Sequence, residues 1–413
     1  MAERDPDIDP AARPGGTFAP FRHPAFRAIW IANLVSSLGA QIQSVGAAWL
    51  MTDLSHSHQM VALVQSSTTI PIMLFGVVAG AIADNFDRRR VMLVAQWGMF
   101  LTSVVLALLT WQGLVTPWLL LAITIVIGTG TALNSPAWQA SVRAQVGQAD
   151  LPAAISLNTV SFNLARTVGP GLGGLLISLW SVSLAFAFNA ASYIVMIVVL
   201  LRWKPGVAAP ERRAMGPVIA AGLKFCAGTP AIRKLLLRGL AVGFGIAGYQ
   251  ALFPAVVRDR LLGDEMAFGL LLTAFGIGSI VTAFAIPAAR RRWGSEALVG
   301  AAMLAFVFAQ FVLAEAQTVA QALPATLVAG GGWVAALTSL NFAMQMRSPD
   351  AILGRCLSIY QAVTFGGMAF GAWIWGLVAD WQDLPFALHA AGVFLMVSLI
   401  ILHFAAPISD EPE

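Results

Sequence analysis

The chain has 413 residues, 58% hydrophobic and only 11% charged, with a mean hydropathy of +0.78 and a formal net charge of +4. A soluble protein carries about 25% charged residues, so a water-facing surface of ordinary composition is excluded. The net charge is too small and too scattered for a nucleic-acid patch, and no G-x-x-x-x-G-K-[ST] loop serves direct use of ATP.

The charges are segregated along the chain. Runs such as 28–52, 91–142, 167–201, 316–346 and 384–409 contain no Asp, Glu, Lys or Arg. About 20 apolar residues cross a bilayer core as a helix, and only helices or closed barrels satisfy the backbone there. Strict alternation is absent, so helices are expected. Breaking the runs at charge clusters and Gly/Pro turns predicts twelve spans, centred near residues 39, 71, 101, 128, 166, 193, 247, 278, 306, 332, 366 and 395. The expected fold class is an all-α membrane protein, twelve transmembrane helices in two pseudo-symmetric six-helix bundles.

In chain order, residues 1–24 read as a tail without an apolar core, so no leader is expected. The first bundle is expected over 25–203, a linker over 204–231, the second bundle over 232–405 and a short tail over 406–413. In span 1, Asn33, Ser37, Gln41 and Ser44 share one helical face. Spans 2 and 3 are joined by Gly80-Ala-Ile-Ala-Asp84-Asn-Phe-Asp87-Arg88-Arg89-Arg90. Span 4 offers Asn134, Trp138 and Gln139. Span 5 carries Arg166 just ahead of Gly169, Pro170, Gly173 and Gly174.

Helical spacing puts Thr159, Asn163, Arg166, Thr167 and Pro170 on one face of span 5, with Val160, Leu164, Val168, Leu172 and Leu175 on the other. The arginine therefore points away from lipid. A charge at mid-span costs roughly 2.5–3.5 kcal/mol on insertion scales, so a partner or a function is expected. A structural role, hydrogen bonds to amides or carbonyls of adjoining helices, stands beside a substrate role. The second half adds Tyr249 and Gln250 in span 7, then Asn341, Phe342 and Gln345 in span 10. Aromatics with amides suit a bulky, partly aromatic ligand, though each taken alone reads first as helix–helix glue.

The positive-inside rule places Arg22, Arg27, Arg88–Arg90, Arg143, the basic run from Arg202 to Arg238, Arg290–Arg292, Arg347 and Arg355 in the cytoplasm. Only Arg258 and Arg260 fall opposite. Both termini are expected to be cytoplasmic. Cys226 and Cys356 then face a reducing compartment, where a disulfide is not expected. Leu184, Phe186, Ala187, Ala190 and Ala191 recur 200 positions on as Leu384, Phe386, Ala387, Ala390 and Ala391, an echo of duplicated halves. Repeated halves with a midplane substrate site are how many secondary transporters are built.

The Gly80–Arg90 loop resembles the signature loop G-x-L-A-D-r-x-G-R-[RK] of the major facilitator superfamily, with Ile82 and Asp87 departing from its leucine and glycine. Gly169-Pro170-x-x-Gly173-Gly174 resembles the end of the fifth-helix motif of that superfamily's antiporters, with Ala165 and Ser156 at positions where glycine is usual. The stretches 21–55 and 134–174 are similar to the enterobactin-exporter-like, transmembrane secretion effector branch. The resemblance implies a multi-pass transporter of a bacterial inner membrane, working as a monomer, that exports a siderophore, drug or secondary metabolite. Coupling by proton antiport is implied with it. It assigns Gly80, Asp84, Arg88, Arg89 and Arg90 to a latch between halves. It makes the polar residues of spans 1, 4, 7 and 10 candidates for the cavity.

Against the proton reading, no acid sits at mid-depth: Asp53, Glu315 and Asp380 fall at outer helix ends. His56 and His58, in an outer turn without grouped Cys or acid, read as solvated. No catalytic constellation, cofactor or metal is expected. The alternatives are an importer of a nutrient or lysophospholipid, a membrane enzyme such as an acyltransferase, and a non-transporting receptor.

Overall fold

The helices start where the sequence supplies a cap. Ser57, Asp87, Thr116, Ser181, Asp264, Thr318 and Asp383 each accept a hydrogen bond from a backbone N–H in the first turn that follows. These satisfy donors that a helix N-terminus leaves orphaned. At Thr318 the partner Gln321 completes a capping box. Asp87, the departure from the signature loop's glycine, is such a cap: its carboxylate accepts from the amides of Arg89 and Arg90 at 2.9 and 3.3 Å.

The computed structural model describes residues 16–204, 215–349 and 352–407, with the side chain of Asp84 outside the described set. The first half comprises α1 (Pro24–Leu54), α2 (His58–Asn85), α3 (Arg88–Trp111), α4 (Pro117–Ser141), α5 (Leu151–Leu179) and α6 (Val182–Arg202). The second comprises α8 (Pro230–Ala255), α9 (Glu265–Glu315), α10 (Val319–Arg347), α11 (Leu353–Trp381) and α12 (Leu384–Ala405). Between them α7 (Met215–Gly228) occupies part of the expected linker. Its 14 residues reach roughly 21 Å at 1.5 Å per residue, too short to cross a bilayer. Residues 205–214 and the outer parts of both tails lie outside the described residues.

α9 unites two spans that the sequence separates. Helix runs through Arg290–Trp293 and breaks only at Gly294, whose φ of 77° and ψ of 170° suit glycine alone. Its arms, 265–293 and 295–315, bring the crossing helices to twelve among the described residues. The arginine cluster therefore sits on helix and not in a loop. Exposed Trp111, Trp118, Trp180 and Trp381 ring the opposite end of the molecule, as aromatic side chains do at a membrane interface.

Each half packs as a bundle: α1 on α5 and α6, α3 on α4 and α6, α8 on α11, α10 on α9. Buried Gln43 ties α1 to α3 and α6, accepting from Ser103 Oγ at 2.9 Å and from Asn189 Nδ2. Two long seams join the halves, α2 along α11 and α5 along the first arm of α9. Spans 2 and 8, and spans 5 and 11, occupy equivalent places in the two halves. The two seams are thus one contact repeated by a pseudo-twofold.

At the basic end, arginines close helix C-termini. Arg89 donates to the carbonyls of Leu200 and Leu201 at 2.6 and 2.8 Å. Arg238, read from sequence only as the last member of the cytoplasmic basic run, is 1% exposed. It donates to the carbonyls of Ala406 and Leu402 and pairs with Glu296 at 2.7 Å. Removing one partner of a buried pair costs roughly 3–5 kcal/mol. Arg238→Ala is expected to fall at the low end of that range, because Glu296 keeps some solvent contact. A lowered melting temperature in detergent checks it; an unchanged one contradicts the account of this corner.

Cys226 on α7 and Cys356 on α11 are free and buried. Burial, with Cys356 alongside, pushes the Cys226 thiol up to about 12, which keeps it protonated and unreactive.

Candidate functional site

Polar side chains on α1, α2, α5 and α8 converge at the interface of the two halves. Gln41, Ser44, Gln65, Arg166, Tyr249 and Gln250 line a cavity of about 170 Å³, with Phe253, Phe268 and Phe275 on the second-half side. None of its lining residues is acidic. Drug-sized ligands occupy roughly 300–1,000 Å³, so this space holds one end of such a molecule and not the whole. Toward the basic end the helices present exposed polar side chains, among them Ser135, Gln139, Thr159 and Gln345.

Arg166 reaches the cavity from the middle of α5. Its guanidinium lies 4.7 Å from the ring centroid of Trp333 and 5.9 Å from that of Phe275. Tyr249 is buried and stacks on Phe253 at 5.1 Å, with Phe306 edge-on at 5.5 Å. The lipid-facing assignment on α5 agrees with the sequence pattern: Val160, Leu164, Val168, Leu172 and Leu175 are exposed, and Thr167, Pro170, Gly173 and Gly174 are buried.

The glycines flanking Pro170 let two neighbours approach at once. A Cβ on Gly169 would lie 2.6 Å from Cβ of Gln41 on α1, and one on Gly174 would lie 2.7 Å from Cα of Gly269 on α9. The second contact belongs to the seam between the halves.

Polar contacts between the halves gather at the end away from the basic connections. Trp49 Nε1 donates to Glu265 Oε1 at 3.0 Å, and Ser57 Oγ donates to Asp380 at 2.5 Å. The His58 amide donates to the same carboxylate at 2.6 Å, and its ring lies 3.1 Å from Asp259. Arg258 donates to Thr52 Oγ1 at 2.8 Å and pairs with Asp53. His58, expected to be solvated, instead bridges the halves. Its partners lie 201 and 322 positions away along the chain, so local pattern held no signal for them. Phe268 lines the cavity and lies 5.8 Å from the ring of Trp49, which joins this cluster through Glu265.

The remaining sequence candidates fall outside the lining. Asn134 accepts from Gln96 at 3.5 Å within the first half, and Trp138 packs on a cluster around Met92 and Ala137. Phe342 lies under Arg290 at 3.8 Å. Asn33, Asn341 and Gln345 lie nearer the basic end than the cavity does. In the signature loop, a Cβ on Gly80 would meet Ser358 of α11 at 3.9 Å. Arg88 donates to the Ala140 carbonyl at 3.1 Å, and Arg90 lies 3.7 Å from Asp87. Ser44, on the polar face read on span 1, does line the cavity; Gln65, Trp333 and the three phenylalanines were missed, because they carried no cue of depth.

Comparison with known proteins agrees with this architecture. The chain is 25% identical over 396 residues to the multidrug efflux pump Tap of Mycolicibacterium fortuitum, covering 92% of this chain and 94% of that one. It is 26% identical over 399 residues to the enterobactin exporter EntS of Escherichia coli K12, covering 92% and 94%. The nucleoside transporter NupG superposes with a TM-score of 0.74 at 12% identity, over 92% of this chain and 98% of that one. All three are transporters. The family model described as "transmembrane secretion effector" matches residues 15–411. The chain therefore belongs to the transmembrane secretion effector family of the major facilitator superfamily, a family of multi-pass membrane transporters.

Proposed function

We propose that this protein exports a small organic compound across a bacterial inner membrane by alternating access, driven by proton antiport. The observation that carries the reading is the placement of the Arg166 cavity. It lies at the interface of two six-helix halves and is roofed at one end by contacts that only a relative movement of the halves can break. The basic end is read as cytoplasmic by the positive-inside rule, which puts both termini inside. The structure then represents a state closed to the outside, with polar faces open inward. The printed functions of Tap and EntS support outward movement of cargo.

The Gly80–Arg90 loop serves in this reading as the inner latch, closing when the outer contacts part. Asp84→Asn is expected to slow cycling several-fold while substrate affinity changes little. Equilibrium binding measured beside turnover separates the two, and a defect confined to affinity contradicts the latch.

The reading is tested with siderophores and dyes in energised inside-out vesicles. A substrate should accumulate there and leak away when a protonophore collapses the gradient. Accumulation only in right-side-out vesicles reverses the direction and makes the protein an importer. Uphill movement without a proton gradient removes protons as the driver.

A further inference from the structure

Several arginines near the helix ends find polar partners in the fold, and Arg166 finds none among the described residues. Arg89 and Arg238 end on backbone carbonyls, and Arg238 and Arg258 also meet carboxylates. Among the described residues, Arg166 meets only the two ring faces of Trp333 and Phe275, with no hydrogen bond and no ion pair. Ring faces attract the cation only weakly. They engage none of its five N–H donors, which point outward in the guanidinium plane. Arg166 is half-buried and lines the cavity, so these donors meet whatever occupies it. The open edge of this group borders the cavity.

We propose that the cavity is a binding site for organic anions, with an acidic oxygen group of the cargo seated on the in-plane edge of Arg166. The inference rests on reading the cavity as the transport site. Three features of the lining agree with it. The remaining polar groups, Gln41, Ser44, Gln65 and Gln250, are neutral and able to hydrogen-bond a polar ligand. The lining has no acid, and the nearby Glu265 is engaged by Trp49. The volume of about 170 Å³ fits an acid head group with a ring against Tyr249 and Phe275, the rest of the molecule extending toward the basic end. A cation in the cavity is repelled by Arg166, and an anion there is attracted. The cavity is thus built against the lipophilic cations that many efflux systems carry.

The test uses the full chain purified into phosphatidylcholine nanodiscs. Binding of benzoate, benzamide and benzylammonium is measured by thermal shift and by competition among them. Benzoate should bind at least tenfold more tightly than its neutral isostere, with benzylammonium weakest. Arg166→Gln should abolish that preference, and Arg166→Lys should keep most of it. The wild-type preference should also shrink with added salt, a readout that needs no variant. A second pair, lysophosphatidylglycerol against lysophosphatidylcholine, separates a soluble acid from a lipid head group. An anionic preference confined to the lysolipids keeps the anion site and assigns its source to lipid.

Equal binding of benzoate and benzamide with no preference between the lysolipids, tighter binding of benzylammonium, an unchanged preference in Arg166→Gln, or no response to any anion overturns the proposal. Failure of the export reading looks different. A protein that binds benzoate through Arg166 yet moves no solute in either vesicle type keeps the anion site and loses the transporter. Vigorous export of a neutral compound, indifferent to Arg166→Gln, does the reverse.

Discussion

Arg166→Ala should lower transport about a hundredfold while leaving the protein inserted and at least as heat-stable as the wild type. The two halves of this result have separate causes. A hydrogen-bonded charge contributes roughly 1.5–3 kcal/mol to a bound ligand, and each 1.4 kcal/mol is a factor of ten. Loss of the guanidinium therefore weakens cargo binding by one to two powers of ten. For the fold the balance runs the other way. The arginine costs roughly 2.5–3.5 kcal/mol at mid-membrane, and its ring contacts return at most roughly 2 kcal/mol. Removing it should not destabilise. An arginine that merely stitched helices together would show the opposite sign, as Arg238 is expected to. Initial rates in inside-out vesicles, beside melting curves of the same preparations, decide between them. Wild-type transport with a lowered melting point would make Arg166 a packing residue.

Gly174→Leu is the second large effect, and it acts on the conformational equilibrium. At this point α5 and α9 pass so closely that a Cβ would lie 2.7 Å from Cα of Gly269 and 2.5 Å from the carbonyl oxygen of Glu265. Both contacts are backbone, so no side chain can swing aside to make room. Overpacking typically costs roughly 1–3 kcal/mol. Here it falls only on the state in which the outer ends are together. That shifts the balance toward the outward-open state by roughly 5- to 150-fold. Each six-helix half keeps its own core, so the variant should fold and bind cargo from outside while net export collapses. Spin labels on the α1–α2 and α11–α12 turns report the outer separation. A variant with the wild-type distance and no transport would show that the glycine serves something other than closure.

The span pattern was legible because lipid leaves a strong compositional trace. Charge-free runs and basic connections locate helices whatever they pack against. The inward face of α5 was legible for a related reason: Arg166 and Pro170 at helical spacing oppose a stripe of Val and Leu. Other features depended on partners remote in sequence. Arg238 looked like one more positive charge at the basic end until Glu296 and the end of α12 folded around it. His58 looked solvated because Asp259 and Asp380 belong to the other half. Arg290–Trp293 looked like a loop because arginine usually marks one, yet arginine is also a good helix former, and a single glycine makes the turn. Depth was the hardest quantity to read. Asn33 and Gln41 lie on the same helix, but only Gln41 reaches the cavity. Helical periodicity tells which way a side chain points and nothing of where the neighbouring helices part.

The most direct test of the account is the sidedness of position 41. In a Cys226→Ser, Cys356→Ser background, a Gln41→Cys variant is treated with a membrane-impermeant maleimide in vesicles of both orientations. Alternating access with the present structure as its inward-open state predicts labelling from the cytoplasmic face at rest. Labelling from the outer face should appear when Gly174→Leu is added, with the cytoplasmic reaction falling in parallel. Labelling from both faces at once, or from neither in any state, would contradict a single cavity that opens to one side at a time.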